Sequence, residues 1–205
     1  PVIFWDYARD TAELAQQHSI KNVFITNGFW SKQAGEKMAP HMHGANIDLK
    51  FFREKSYQNI CGARLKPVLE TIEYLFSRQV WVEITTLVIP GLNDSDEELR
   101  DIARFIANLS PSLPWHVSRF HPAYKMRERS PTPPPTLNRA REIGLAEGLS
   151  YVYTGNLPGD RGESTFCPDC GEKIISRLGF EVRKNTMKQG TCPECGRTIA
   201  GVWQQ

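Results

Sequence analysis

The chain has 205 residues, 40% of them hydrophobic and 23% charged, the make-up of a soluble globular protein with one sizeable core and a small appendage. Its 25 Lys and Arg are spread along the chain against 23 Asp and Glu for a net charge of +2, so no basic stripe of the kind a phosphate backbone requires is present, and nucleic acid has no support as a partner. No apolar run approaches the ~20 residues that span a bilayer and no signal-peptide pattern opens the chain, so no membrane partner is expected and the location read is cytoplasmic.

Over residues 3–18 the apolar positions Phe4, Tyr7, Ala8, Ala12, Leu14 and Ala15 recur at helical spacing opposite Asp6, Arg9, Asp10, Glu13 and Gln16, which predicts an outer-layer helix buried along the apolar set. Residues 22–26 form a short apolar strand stopped by Asn27-Gly28, and Ser31 caps a brief helix through Met38 that ends near Pro40. The run Ala45-Asn46-Ile47-Asp48-Leu49-Lys50 is then a strand whose alternation puts Ile47 and Leu49 on one side and Asn46, Asp48 and Lys50 on the other. A helix over residues 65–79 follows, with Pro67 tolerated in its first turn.

Residues 80–88 make the longest strand, β-branched and nearly all apolar, as expected where both faces of a sheet are covered. Within it Glu83 and Thr85 share a face with Trp81 and Leu87. After the turn Ile89-Pro90-Gly91-Leu92-Asn93, Ser95 and Glu98 form a capping box for a helix to about Leu109. Residues 115–120 are the next strand, with Trp115, Val117, Arg119 and His121 on one face. The Pro-rich stretch 121–135 is a loop of the length that is functional or disordered, and at the strand ends it is expected to cover the pocket. Thr136 starts a helix that Gly148 closes, and residues 151–153 are a last strand ending in Gly155-Asn156. Strand and helix thus alternate five times at intervals of about 30 residues, which implies parallel βα units. The fold class read from this is α/β: a partial (β/α) barrel of parallel strands over residues 1–158, followed by a small zinc-ribbon domain over residues 159–205.

With parallel strands, the C-terminal ends gather Thr26 and Asn27, Asp48 and Lys50, Glu83 and Thr85, Arg119 and His121, and Asn156 around one mouth, a setting for a polar, charged small molecule. Lys50 and Arg119 suit a carboxylate or phosphate, Asp48 and Glu83 a hydroxyl or ammonium, and His121 either. Glu83, a carboxylate within an apolar strand, needs a partner or a cavity, and Arg119 is the natural partner. Cys61 reads as a buried free thiol and His41-x-His43 as a solvated loop. A P-loop, Gly-x-Ser-x-Gly and Gly-x-Gly-x-x-Gly are all absent, so nucleotide hydrolysis, serine-esterase chemistry and Rossmann binding have no support.

Four of the five cysteines fall in two copies of one turn, Cys167-Pro168-Asp169-Cys170-Gly171 and Cys192-Pro193-Glu194-Cys195-Gly196. This spacing argues for a metal in a reducing compartment rather than a disulfide framework. Cys167, Cys170, Cys192 and Cys195 close a tetrahedron around Zn2+, a site that holds a small domain together and does no chemistry; the same knuckles also suit a rubredoxin-like iron.

The runs Ile25-Thr26-Asn27-Gly28, Asn46 to Lys50, Cys61-Gly62-Ala63, Thr85 to Asn93, Trp115 to Pro122 and the two Cys-Pro-x-Cys-Gly knuckles resemble, in order and over nearly the whole chain, the AmmeMemoRadiSam radical SAM proteins, relatives of pyruvate formate-lyase activating enzyme. The resemblance implies a 4Fe-4S cluster that holds S-adenosylmethionine and cleaves it reductively to a 5'-deoxyadenosyl radical. It also implies that Asp48, Lys50 and His121 line the S-adenosylmethionine site, with Thr26 and Asn27 on the Thr-Asn-Gly turn, and that an electron donor and a substrate, a protein among the candidates, are partners. Two departures accompany it. The cluster motif Cys-x-x-x-Cys-x-x-Cys is absent, so its ligands are expected upstream of residue 1 and the chain is expected to be the later part of the enzyme. The acidic residue that the activating enzymes carry before Thr-Asn-Gly is here Ile25. The contrasting reading is a non-catalytic half-barrel whose zinc ribbon docks a protein or RNA, marked by Arg or aromatic residues clustered on the ribbon.

Overall fold

The structure, a computed structural model, describes residues 2–203. Five strands, β1 (Val23–Thr26), β2 (Gly44–Asp48), β3 (Trp81–Val88), β4 (Trp115–Arg119) and β5 (Val152–Gly155), pair in chain order in one parallel sheet. The chain around them carries α1 (Trp5–Gln17), α2 (Lys32–Met38), a single turn α3 (Glu54–Ser56) that runs into a π turn at Tyr57–Cys61, α4 (Leu65–Ser77), α5 (Asp96–Leu109) and α6 (Pro134–Ala146). An antiparallel sheet of β6 (Thr165–Phe166), β7 (Lys173–Leu178) and β8 (Glu181–Asn185) follows. Parallel neighbours joined through helices are the partial (β/α) barrel expected from the sequence pattern. Among the described residues no helix is long and apolar enough to cross a membrane. The chain divides into two compact units, one ending at Thr85 and one beginning at Thr86.

In the first unit β2 lies between β1 and β3, with Thr26 opposite Ile47 and Asp48 opposite Thr85. Ile47, Leu49, Val68, Ile72, Leu75, Val82 and Ile84 are fully buried, and each such side chain contributes ~1.5–3 kcal/mol of hydrophobic stabilisation. Gly28, at φ +65°, lets the chain turn tightly after β1: a Cβ there would stand 2.8 Å from Ile47 Cγ2 and 3.3 Å from Val68 Cγ1. Ser31 caps α2 as its sequence predicts, its hydroxyl accepting from the Ala34 amide. The N-terminal helix differs from its reading. Only Ala12 is buried, flanked by half-buried Trp5, Ala8 and Ala15, while Phe4, Tyr7 and Leu14 are 76, 81 and 55% exposed. The covered stripe follows positions 5, 8, 12 and 15; Tyr7 and Leu14 lie on the next row around the helix and face outward. β3 also departs from a strand covered on both sides, since Val82, Ile84, Thr86 and Val88 are buried whereas Trp81, Glu83, Thr85 and Leu87 are half-exposed.

In the second unit Leu99, Ile102, Ala103, Ile106, Trp115, Val117, Leu137 and Ala140 are fully buried. The Trp115 indole N–H donates to the Thr86 hydroxyl at 3.0 Å, so the polar atoms on this buried face are satisfied by each other. The Ser95 hydroxyl accepts from the Glu98 amide, the capping contact expected. Asn93 clasps the Pro-Gly turn, accepting from the Ile89 amide and donating to the Leu87 carbonyl. Thr132 fastens the loop after β4: its hydroxyl donates to the Val88 carbonyl at 2.6 Å and accepts from the Phe120 amide at 2.9 Å, while Arg129 donates to the Pro90 carbonyl. The ribbon has its own cluster of Cys167, Ile174, Ile175, Cys192 and Ile199, to which Tyr151 belongs, and the Tyr151 hydroxyl accepts from the Ala200 amide. Because Thr132 is fully buried and satisfies two backbone groups, Thr132→Val is expected to lower stability by about 2 kcal/mol in urea unfolding with the m-value unchanged.

Candidate functional site

The polar residues of the first unit are sorted by strand alternation. Ile47 and Leu49 are 0% exposed, which leaves Asn46, Asp48 and Lys50 half-exposed on the opposite side. There Lys50 Nζ lies 2.9 Å from Asp48 Oδ1, an ion pair at the strand end with both members accessible to a ligand. The neighbouring strand supplies the rest of this face. Thr85 donates its hydroxyl proton to Asn46 Oδ1 at 2.7 Å, and Glu83 accepts from the Trp81 indole N–H at 2.9 Å. Glu83 thus has Trp81 for a partner, where the sequence pointed to Arg119. Asn46, which the site reading left out, is what holds Thr85, and its place between Ala45 and Ile47 on an alternating strand was the available signal.

Thr26 and Asn27 shape the turn after β1. Thr26 is buried on Ile47's side of the sheet, and its hydroxyl accepts from the Gly28 amide; Asn27 is exposed, and its side-chain oxygen accepts from the Phe29 amide. Ile25, opposite Asn46, is 75% exposed, so this edge of the polar face carries an apolar side chain where an acid would bind a cation. Cys61 is a correction: it is exposed on the π turn, not buried. Desolvation pushes its thiol up; Lys50 opposes this and Asp48 adds to it. A thiol held protonated in this way is a weak nucleophile.

In the second unit Arg119 shares the face of Trp115 and Val117, and its Nε donates to the Thr132 carbonyl at 2.8 Å. His121 is exposed just beyond β4, and Asn156, at φ +57°, donates to the Arg119 carbonyl. His116 stacks on Tyr153 with ring centroids 5.2 Å apart. In the first unit, the ring of His43 accepts from the Asn22 amide, which makes it a structural clasp.

The four ribbon cysteines do come together. Each knuckle repeats the same two bonds, Cys167 N–H to the Glu172 carbonyl and Gly171 N–H to the Cys167 carbonyl, then Cys192 N–H to the Arg197 carbonyl and Gly196 N–H to the Cys192 carbonyl. Gly171 and Gly196, at φ +73° and +76°, make that turn possible. The sulfurs of Cys167 and Cys195 are 3.5 Å apart, those of Cys170 and Cys192 3.7 Å, and all four lie within 4.8 Å of one another. A tetrahedral ion with metal–sulfur bonds of ~2.3 Å needs sulfurs about 3.8 Å apart, so the group fits such an ion. Burial works to raise the Cys167 thiol, but the amides of Cys170 and Asp169 and the thiols of Cys195 and Cys170 outweigh it and bring it down to about 7. The Glu172 amide works to lower Cys170, but desolvation and the three neighbouring sulfurs raise it to about 12. Four adjacent sulfurs cannot all ionise unless a cation joins them.

A parallel βα sheet with a charged pair at the end of an interior strand and a four-cysteine appendage define a partial barrel with a polar face and a cysteine group able to hold a metal ion. Comparison with known proteins narrows this class. The profile of the radical SAM superfamily matches residues 1–106, and the chain belongs to that superfamily. It is 38% identical over 202 residues to an uncharacterized protein of Methanocaldococcus jannaschii, a match that takes in 97% of this chain and 60% of that one. It is 24% identical over 161 residues to pyruvate formate-lyase 1-activating enzyme of Escherichia coli K12, covering 72% of this chain and 65% of the enzyme. The chain therefore spans less than two thirds of the length of either relative. Among solved structures, a domain of a pyruvate-formate lyase-activating enzyme from Bacteroides vulgatus superposes with a TM-score of 0.64 at 17% identity, over 76% of this chain and 94% of that domain.

The cysteine geometry yields a prediction independent of which metal is native. Co2+ added to the metal-free chain is expected to bind at one equivalent with the visible absorption of a tetrahedral thiolate site. Cys170→Ser should weaken that spectrum, and acidification should release the ion as protons compete for the sulfurs. A featureless visible spectrum at one equivalent contradicts the assignment.

Proposed function

We propose that the chain is the S-adenosylmethionine-binding portion and metal ribbon of an AmmeMemoRadiSam-type radical SAM enzyme related to the pyruvate formate-lyase activating enzymes. The observation that carries this reading is the half-exposed Asp48–Lys50 pair at the end of β2. S-adenosylmethionine presents an ammonium and a carboxylate on one carbon, and a carboxylate and an ammonium 2.9 Å apart are complementary to it. When bound, S-adenosylmethionine and an iron–sulfur cluster supply reductive cleavage of the sulfonium. The residues of this chain orient the cofactor and screen it from water. Asn46, Thr85 and Glu83, each already engaged on the same face, set its polarity. For His121 the support is the resemblance and its exposure after β4; for Arg119 it is its place at the end of β4, where its Nε donates to the Thr132 carbonyl.

The cluster ligands are proposed to lie upstream of residue 1, and Zn2+ to occupy the four-cysteine group. The ribbon from Gly159 onward is then a structural domain beside the barrel, and an electron donor and a substrate, a protein among the candidates, complete the reaction. The contrasting reading, a docking module without catalysis, draws on the ribbon hairpin, where Phe180 is fully exposed next to Arg183 and Lys184. The polar face of β2 and β3 favours the enzyme, since a docking module has no use for it. In the full chain, Asp48→Ala and His121→Ala are each expected to weaken S-adenosylmethionine binding at least about tenfold by equilibrium dialysis. Unchanged binding in both variants overturns the site assignment.

A further inference from the structure

Past Asp48 the chain leaves the sheet, and its amides must find new partners. The Leu49 amide still donates to the Thr85 carbonyl at 2.9 Å. The Lys50 amide turns to a side chain, donating to the Tyr57 hydroxyl at 3.1 Å. Tyr57 is 3% exposed, and its ring meets Phe51, itself 1% exposed, edge to face at 6.1 Å. Burial pushes the phenol well above its ordinary range, with the Lys50 amide opposing it, so the group stays a neutral hydroxyl at any physiological pH.

The π turn makes this contact possible. Tyr57 opens the wide turn Tyr57–Cys61, closed by the Ala63 amide on the Tyr57 carbonyl and by Gly62 in the left-handed conformation. Glu54 fastens both sides of it, one carboxylate oxygen accepting from the Leu65 amide and the other from the Gln58 side chain. A rigid turn therefore carries a buried hydroxyl to the backbone of the residue whose ammonium faces Asp48.

We propose that Tyr57 is a positioning residue for the Asp48–Lys50 pair, its hydroxyl holding the Lys50 backbone so that the ammonium and the Asp48 carboxylate stand together at the end of β2. The inference rests on the reading of that pair as the S-adenosylmethionine contact. Without the hydroxyl, the Lys50 amide loses this acceptor and the segment after β2 shifts, taking the Lys50 side chain with it.

The test is a double-mutant cycle in the full chain, with S-adenosylmethionine affinity measured by titration calorimetry and unfolding followed in parallel. Tyr57→Phe keeps the ring and removes the hydroxyl; it is expected to weaken binding about tenfold in the native background and to add almost nothing to Lys50→Ala. Phe51→Leu disturbs the same packing but leaves the hydroxyl in place, and is expected to lower the unfolding midpoint while leaving affinity unchanged. The inference is overturned if Tyr57→Phe is neutral or additive with Lys50→Ala, or if Phe51→Leu weakens binding as much. Asp48→Ala, run alongside, separates the two ideas. A loss with Asp48→Ala but none with Tyr57→Phe removes only the role of Tyr57, whereas no loss with Asp48→Ala removes the underlying site and this inference with it.

Discussion

The burial of Ile47 and Leu49 is the constraint on which the first half of this protein turns. Both side chains are fully buried, and because a strand alternates strictly, a slip of one residue would expose both and bury Asp48 and Lys50 together. That exchange would forfeit several kcal/mol of hydrophobic burial and bury an ion pair as well. The register of β2 between β1 and β3 is thus held by its apolar residues, and the polar ones are placed as a consequence. The close approach of Gly28 to Ile47 and Val68 carries the same constraint into the neighbouring turn and helix.

The alternation that sorts β2 and β3 was open to reading from the sequence, because a period of two with fully apolar positions on one side leaves little choice. Arg119 shows where such reading falls short. It was placed correctly on the face of Trp115 and Val117, but two apolar neighbours mark that face as the covered one, and the guanidinium bonds a loop carbonyl there. Thr26 has the same character, lying on Ile47's side of the sheet with its hydroxyl used by the turn. The N-terminal helix misled for another reason: adjacent rows of a helix are both partly apolar here, and the small residues Ala8, Ala12 and Ala15, with Trp5, carry the covered stripe in place of the bulky Phe4, Tyr7 and Leu14. The Tyr57 turn left no trace at all, since a π turn in a polar segment has neither helical nor strand periodicity.

The ribbon follows a different physical logic. Its small apolar cluster is made of the cysteines as much as of Ile174, Ile175 and Ile199, which is too little to order a hairpin as exposed as β8 on hydrophobic burial alone. The repeated knuckle bonds bring four sulfurs to metal-binding distance, and an ion there turns binding free energy into folding free energy. Two knuckles with the same turn and the same glycine are legible in sequence because each residue type is required by the geometry.

The account as a whole depends on the charges of Asp48 and Lys50 being a ligand contact and not only a surface pair. The most direct measurement is the dissociation constant for S-adenosylmethionine of the full chain carrying Asp48→Asn with Lys50→Met, a variant that keeps the shapes and removes both charges. A half-exposed pair in contact with solvent contributes on the order of 1 kcal/mol to folding, so the variant should unfold near the native midpoint while its affinity falls at least about tenfold. Native affinity in that variant would contradict the account and leave the pair as surface electrostatics.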